Sequence, residues 1–220
     1  MIKIENIDVY GFEAAIRGAR NPMNSWHLMD SCYNNGEFEI GEKDYDLLRR
    51  LTIAGPEHRK WNRMVTVTMD ITAPMYWFSE YDTYKVGTVA NSTSKMHRLL
   101  HKPFELSDFS FDHLIGKNNV TYNQINLSPM DTAKLIVDHL NELRDEYLKC
   151  DNETDKKQIW YNILQLLPNS YNQKRTVHLN YEVLGTMYKQ RRHHKLSEWQ
   201  VFCDTIKTLP YSEFITREFE

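Results

Sequence analysis

The sequence predicts a mixed α/β protein with strands early in the chain and helices late. Two stretches set apolar against polar residues in the manner of strands. Near the start stand Ile2, Ile4, Ile7 and Val9. Further on, Val65, Val67, Met69 and Ile71 oppose Thr66, Thr68, Asp70 and Thr72. A period of two marks a half-buried strand. From Ala133 the apolar residues instead recur at steps of three and four, through Ile136, Leu140, Leu143 and Tyr147, the spacing of one helical face.

Taken in order, Met1 to Tyr10 is a first strand, and Gly11 to Arg20 (GFEAAIRGAR) a short helix stopped by Asn21-Pro22. Asn34-Asn35-Gly36 signals a turn. Lys43 to Ala54, carrying Tyr45, Leu47, Leu48, Leu51 and Ile53, reads as a helix closed by Gly55-Pro56. The second strand runs from Val65 to Thr72. Ala73-Pro74 ends it and opens a helix, because proline suits a first helical turn and not a central strand. One or two aromatic turns follow. Thr83 to Met96 is then rich in small polar residues, with a lysine near each end and no apolar period.

His97 to Leu127 reads as loop with short pieces of structure, punctuated by Lys102-Pro103, Gly116 and Asn118-Asn119. Ser128-Pro129-Met130-Asp131 then supplies a capping hydroxyl, a proline at the first helical position and an acid at the third. Asp151 to Asp155 is a polar linker, and Ile159, Trp160, Ile163, Leu164 and Leu167 form a helix ended by Pro168. Thr176 to Gln190 and Leu196 to Leu209 read as two more helices, parted by the basic run Arg191-Arg192-His193-His194-Lys195. There is no internal repeat and no low-complexity tract, so one domain over 1–220 is expected.

Composition narrows the function. With 41% hydrophobic and 26% charged residues the 220-residue chain reads as an ordinary soluble protein able to bury one core. A net charge of −3 argues against a nucleic-acid coat, which needs a basic excess. Cys32, Cys150 and Cys203 form no CxxC pair and read as reduced thiols in the core of a cytoplasmic protein. No apolar run approaches a membrane span, and MIKIENIDVY has no signal-peptide core. GxGxxG, GxxxxGK[ST], HExxH and GxSxG are all missing. His193 and His194, being adjacent, point in different directions on a helix, so a solvated helix end is expected there and no metal site.

Two basic clusters stand out: Lys85 and Lys95 around the Thr/Ser/Asn run, and Arg191-Arg192 between the late helices. Hydroxyls, amides and cations together are what a phosphate ester needs. The same residues also suit a solvated loop and a solvated helix end, and composition leaves both readings open.

Four places in the chain resemble the flavin-dependent thymidylate synthases. A helix, a break and a strand ending in Ala73-Pro74 precede the position of the family's signature loop, RHRxxSxNExSxRY. The ungapped match here is TYKVGTVANSTSKM, Thr83 to Met96. The family's Leu-Pro, followed by an aromatic and by a helical asparagine twelve residues after the proline, is met by Leu167-Pro168, Tyr171 and Asn180. Its arginine before an AQWEI segment is similar to Arg192 before HHKLSEWQV, with Trp199 in register. Order and spacing persist over most of the chain, while no single motif is intact.

The resemblance implies a curved, mainly antiparallel sheet flanked by helices, the thymidylate synthase-complementing-protein-like fold. It also implies a cytoplasmic homotetramer with sites at subunit junctions. The implied reaction is reductive methylation of dUMP or a related pyrimidine nucleotide, with FAD, NADPH and methylene-tetrahydrofolate; a non-catalytic, nucleotide-binding or regulatory descendant is the alternative. Carried over residue by residue, Arg192 (or Arg191, if the spacer is one longer) grips the pyrimidine. Asn180, Lys85 and Asn62 contact the flavin, and Thr88, Asn91, Thr93 and Lys95 hold the nucleotide. The departures are losses of charge. The signature's Arg-His-Arg is Thr83-Tyr84-Lys85, its Asn-Glu is Ala90-Asn91, and two further arginines are Leu164 and Glu182.

Overall fold

The structure, a computed structural model, describes residues 2–114 and 119–219. Gly116 and Asn118, expected to punctuate a loop, lie outside the described residues. In chain order the elements are β1 (Lys3–Tyr10), α1 (Phe12–Arg20), β2 (Cys32–Asn34), β3 (Glu37–Glu39), α2 (Glu42–Ala54), β4 (Thr66–Pro74), α3 (Met75–Tyr81), β5 (Val89–Ser92) and α4 (Lys95–Arg98). They continue as β6 (Val120–Tyr122), β7 (Ile125–Leu127), α5 (Pro129–Lys149), α6 (Glu153–Leu166), β8 (Asn172–Asn180), α7 (Tyr181–Arg191), α8 (Ser197–Lys207) and α9 (Glu213–Thr216). The fold is mixed α/β, as the alternation and helical spacing imply.

The chain forms two compact units, each visited more than once. The first comprises residues 2–3, 72–80, 92–114 and 119–174. Its core is helical. Val137 and Leu140 of α5 and Ile159 and Ile163 of α6 bury their side chains with Leu99, Phe104 and Phe109. The start of α5 follows its sequence signature: Ser128 Oγ accepts from the Asp131 N–H at 3.1 Å, and the Asp131 carboxylate accepts from the Ser128 N–H at 3.0 Å. Leu164, which stands where the family has an arginine, packs against this core. A short antiparallel hairpin joins β6 and β7 through Asn123 and Gln124, both at positive φ.

The second unit comprises residues 4–71, 81–91 and 175–219, which include most residues of the four-stranded sheet, ordered β1–β4–β8–β5. The alternation read from Val65 to Ile71 holds in β4, where Val67, Met69 and Ile71 are buried. Outward-facing Asp70 accepts from Asn6 Nδ2 at 2.9 Å and from Thr176 Oγ1 at 2.6 Å. Trp61, Leu48, Ile16, Tyr181, Trp199, Phe202 and Phe214 are buried in this unit.

Several expected boundaries move. Ala73-Pro74 does not start the helix: both residues belong to β4, and α3 begins at Met75. Thr83 to Met96 is not devoid of regular structure, since β5 and the start of α4 fall inside it. The linker Asp151 to Asp155 is mostly helix, because the Asn152 side chain accepts from the Thr154 and Asp155 N–H groups and starts α6 there. The largest correction is Thr176 to Gln190. Its first half is β8, whose Val177 and Leu179 alternate into the core, and only from Tyr181 does the chain turn helical. The helical spacing Val177, Tyr181, Leu184, Tyr188 hid this, because a period of four is also two periods of two. The cysteines divide as well: Cys203 is buried, while Cys32 is exposed and Cys150 half-exposed.

Two polar groups set testable costs in the second unit. Asp44 is fully buried and accepts from Arg20 Nε at 2.6 Å, Ser31 Oγ at 2.6 Å, and the Asp30 and Ser31 N–H groups at 3.0 and 2.9 Å. Removing the charge strands Arg20, itself 4% exposed. Asp44→Asn is expected to lower the free energy of unfolding by about 3 kcal/mol, read from urea denaturation. Asn180 caps α7, its Oδ1 accepting from the Val183 N–H at 3.0 Å. Asn180→Ala is expected to cost about 1 kcal/mol and Asn180→Asp almost nothing, a contrast that thermal melting will show.

Candidate functional site

The second unit holds a cleft of about 510 Å³, lined by Arg63, Thr83 to Gly87, Asn180, Glu182, Val183 and Thr186. That volume is in the range of small-molecule sites. Three pieces of backbone meet here: the 3-10 turn Arg59–Arg63, the loop after α3, and the first turn of α7.

The strand-to-helix switch at Asn180 fixes one wall. β8 passes into α7 without a linker; the Tyr181 N–H donates to the Val65 carbonyl at 3.0 Å and the Asn180 side chain closes the first turn. Asn180 was expected within a helix and is instead its N-cap. Gly87 forms the opposite wall at φ +75°, where a Cβ would lie 3.0 Å from Asn180 Nδ2 and 3.3 Å from Val183 Cγ2. Only glycine allows both that backbone and that approach.

Tyr84 pins the loop. Its N–H donates to the Tyr81 carbonyl at 3.0 Å, and its carbonyl accepts from Thr88 Oγ1 at 2.6 Å. Its hydroxyl donates to Gln190 Oε1 at 2.8 Å and accepts from Arg191 Nε at 2.9 Å. Arg191 in turn lies 4.8 Å from the Trp199 ring centroid and 5.6 Å from that of Tyr84.

The cleft is cationic in spite of Glu182. Arg59 grips that carboxylate through both Nε, at 2.8 Å to Oε2, and Nη2, at 3.0 Å to Oε1, and Arg217 Nη2 stands 3.5 Å from Oε1. Arg59 and Glu182 are 12% and 16% exposed, so the pair is largely desolvated and its geometry counts for more than a surface ion pair's. Burial, and then the neighbouring Arg59, lower the Arg217 pKa, and Glu182 opposes them. Two arginines on one carboxylate leave a surplus of positive charge, so the charge reversal read at this position does not make the cleft repel anions. Arg63 and Lys85 line the cleft and engage no acceptor among the described residues.

The expected site residues therefore divide. Lys85 and Asn180 come together in the cleft. Thr88 lies one residue past Gly87, its hydroxyl committed to Tyr84, and Asn91 lies exposed on β5. Arg192 carries an exposed ion pair to Glu218 at 2.8 Å, while Arg191 is packed on Trp199. Asn62 is fully buried beside Arg63 in the chain, and its Nδ2 donates to the Phe214 carbonyl at 3.4 Å. Thr93 and Lys95 belong to the first unit, where the Thr93 N–H donates to the Lys174 carbonyl at 2.9 Å and Lys95 Nζ stands 3.3 Å from Met75 Sδ. His194 Nδ1 accepts from the Leu196 N–H at 3.2 Å. Among the described residues no three His, Cys, Asp or Glu side chains cluster to hold a metal, and no helix is long and apolar enough to cross a membrane.

Sequence reasoning missed Arg63, Tyr84 and the Arg59–Glu182–Arg217 cluster. Tyr84 was visible only as a lost histidine, and nothing near Arg217 links it to Glu182. Gly87 carried a turn signal that could have been used. The first unit has a larger depression of about 820 Å³, but there Lys156 already sits 5.2 Å over the Tyr147 ring and Glu153 is beside it. The smaller cleft has the better chemistry.

No protein-family model and no curated protein sequence matches the chain. Solved structures do. Thymidylate synthase X (ThyX) from Helicobacter pylori, with FAD and dUMP, matches with a TM-score of 0.63 at 16% identity, over 97% of this chain and 96% of its own. A second structure of that organism's flavin-dependent ThyX, complexed with FAD and dUMP, matches with a TM-score of 0.62 at 18% identity, over 96% of both chains. The UMP/dUMP methylase PolB from Streptomyces cacaoi, bound with 5-Br dUMP, matches with a TM-score of 0.60 at 16% identity, over 99% of this chain and 95% of its own. The chain has the fold of the flavin-dependent thymidylate synthases.

Proposed function

We propose that this protein is a flavin-dependent thymidylate synthase-like methylase that acts on a pyrimidine nucleotide, dUMP or a relative of it. The observation that carries the reading is the cleft at the N-terminus of α7, where two uncommitted cations and the Asn180 amide meet in a fold whose solved examples hold FAD and dUMP. The wider frame belongs to the proposal too: a single domain over 1–220, a cytoplasmic homotetramer, and NADPH and methylene-tetrahydrofolate as co-substrates.

The residues fit an anionic, planar ligand. Lys85 and Arg63 would hold a phosphate as point charge and fork respectively. Asn180 spends one Oδ1 lone pair on its cap and keeps Nδ2 to donate to a ring carbonyl. Val86, Val183 and the Tyr84 ring give an apolar wall that excludes water from such a ring. FAD, when bound, would supply the reducing chemistry, so the chain needs no nucleophile of its own. Thr88 holds the loop that raises Lys85. Arg192 is the cation proposed for the base, since its exposed pair with Glu218 is worth under about 1 kcal/mol and exchanges readily. Asn91, and separately Thr93 and Lys95 of the first unit, are proposed for the nucleotide on the family resemblance alone.

A second reading, a nucleotide-binding descendant without catalysis, is favoured by two observations. Leu164 is packed against the core where the family has an arginine, and the signature's acid is absent at Asn91.

Purified protein is expected to carry or take up FAD, read as a flavin absorption spectrum, and to lose it on Lys85→Glu. Binding of dUMP by a colourless protein that takes up no FAD would favour the second reading. Binding of neither would overturn both. Separately, Arg192→Ala is expected to weaken dUMP binding at least about tenfold in calorimetric titration, the loss of one charge-assisted hydrogen bond. An unchanged titration would remove Arg192 from the site.

A further inference from the structure

Arg191 sits in a chemically unusual place for a surface-helix arginine. It ends α7, yet its guanidinium packs on Trp199, a side chain with no exposed surface, and donates from Nε to the Tyr84 hydroxyl. It does not line the cleft, whereas Tyr84 does. We propose that Arg191 is a positioning residue: it meets no ligand itself, but fixes the Tyr84 ring as the wall against which a ligand's planar ring packs. The inference rests on the cleft being the ligand site.

The physical case is that Tyr84 is held at several atoms by groups from three places in the chain. Tyr81 at the end of α3 and Thr88 in the loop bind its backbone, and Gln190 and Arg191 bind its hydroxyl from the end of α7. The hydroxyl's one proton goes to Gln190, so Tyr84 is committed as a wall and not as a proton donor to ligand. Its ring meets Trp199 edge-on at 6.2 Å, which limits rotation. The contacts to Arg191 explain why an arginine suits position 191. A planar guanidinium can stack on an indole and direct Nε–H in its own plane toward an acceptor, which a lysine ammonium cannot do. Lys85 follows Tyr84 directly, so the loop that orients the ring also orients the free cation.

A merely structural role, tying α7 to α8 through Trp199, predicts something different. Loss of Arg191 would then loosen α8 and leave the loop's behaviour tied only to global stability.

The test compares wild type with Arg191→Met, Arg191→Lys, Tyr84→Phe and the Arg191→Met/Tyr84→Phe double variant, using FAD as the probe. Arg191→Met is expected to speed amide hydrogen exchange over residues 83–88 about tenfold, the loss of about one hydrogen bond, while exchange in α8 stays as in wild type. FAD affinity is expected to fall by a similar factor, with Arg191→Lys rescuing little of it. Tyr84→Phe, which keeps the ring and loses the anchor, is expected to reproduce both effects. The double variant is expected to be no worse than either single, the mark of one shared interaction. Unchanged exchange in the loop, or losses that add in the double variant, would overturn the proposal. If wild type takes up no FAD, the flavin reading of the cleft fails, and the exchange comparison with Tyr84→Phe still decides whether Arg191 holds the loop.

Discussion

The second unit is organised by the way β8 becomes α7 without a connecting loop. A strand that turns straight into a helix must satisfy the helix's first N–H groups immediately, and this chain does so with one side chain and one neighbouring strand. Asn180 caps the Val183 N–H, and the Val65 carbonyl at the head of β4 takes the Tyr181 N–H. Tyr181 is itself fully buried, with its hydroxyl donating to the Pro210 carbonyl at 2.5 Å, so the first turn of α7 is tied to β4 at one end and to the C-terminal segment at the other. That turn presents a partial positive charge to the cleft as well.

Charge in the cleft follows from that placement and not from the identity of any one residue. Glu182 in the first turn of α7 is favourable for the helix, since an acid there opposes the macrodipole. Taken alone it would repel an anionic ligand. Arg59 and Arg217 reverse the sign, and the cost of placing Arg217 is visible in the backbone: it adopts a left-handed φ of +63°. Gly185 makes room for it, since a Cβ there would lie 3.0 Å from Arg217 Nη2 and from the Ile215 carbonyl. A glycine in a helix interior is unfavourable by about 1 kcal/mol relative to alanine, and the nearby guanidinium and carbonyl account for it.

Much of the fold was legible because its elements rest on local rules. β4 showed in the alternation of Val67, Met69 and Ile71; α5 showed in Ser128, Pro129 and Asp131. β8 was not legible, because Val177 and Leu179 serve a strand while Val177, Tyr181, Leu184 and Tyr188 fit a helix equally well. Only pairing between strands distant in sequence decides between them. The site was half legible. Lys85 and Asn180 were reached through the family resemblance, but the arginines around Glu182 were not, since they lie 123 residues before it and 35 after it in sequence.

The same reasoning separates the two neighbouring arginines, which sequence spacing could not. Arg191 and Arg192 are adjacent on a helix end, so their side chains leave it about 100° apart. One turns toward Trp199 and Tyr84, and the other stays half-exposed over Tyr188 and beside Glu218. A guanidinium held by an indole and a phenol has few donors left and little freedom to follow a ligand. One held by a single exposed carboxylate can exchange that partner at small cost. The packing already present in the folded chain therefore sets the two apart: Arg191 is held against Trp199 and Tyr84, and Arg192 is the more exposed of the two and the freer to move.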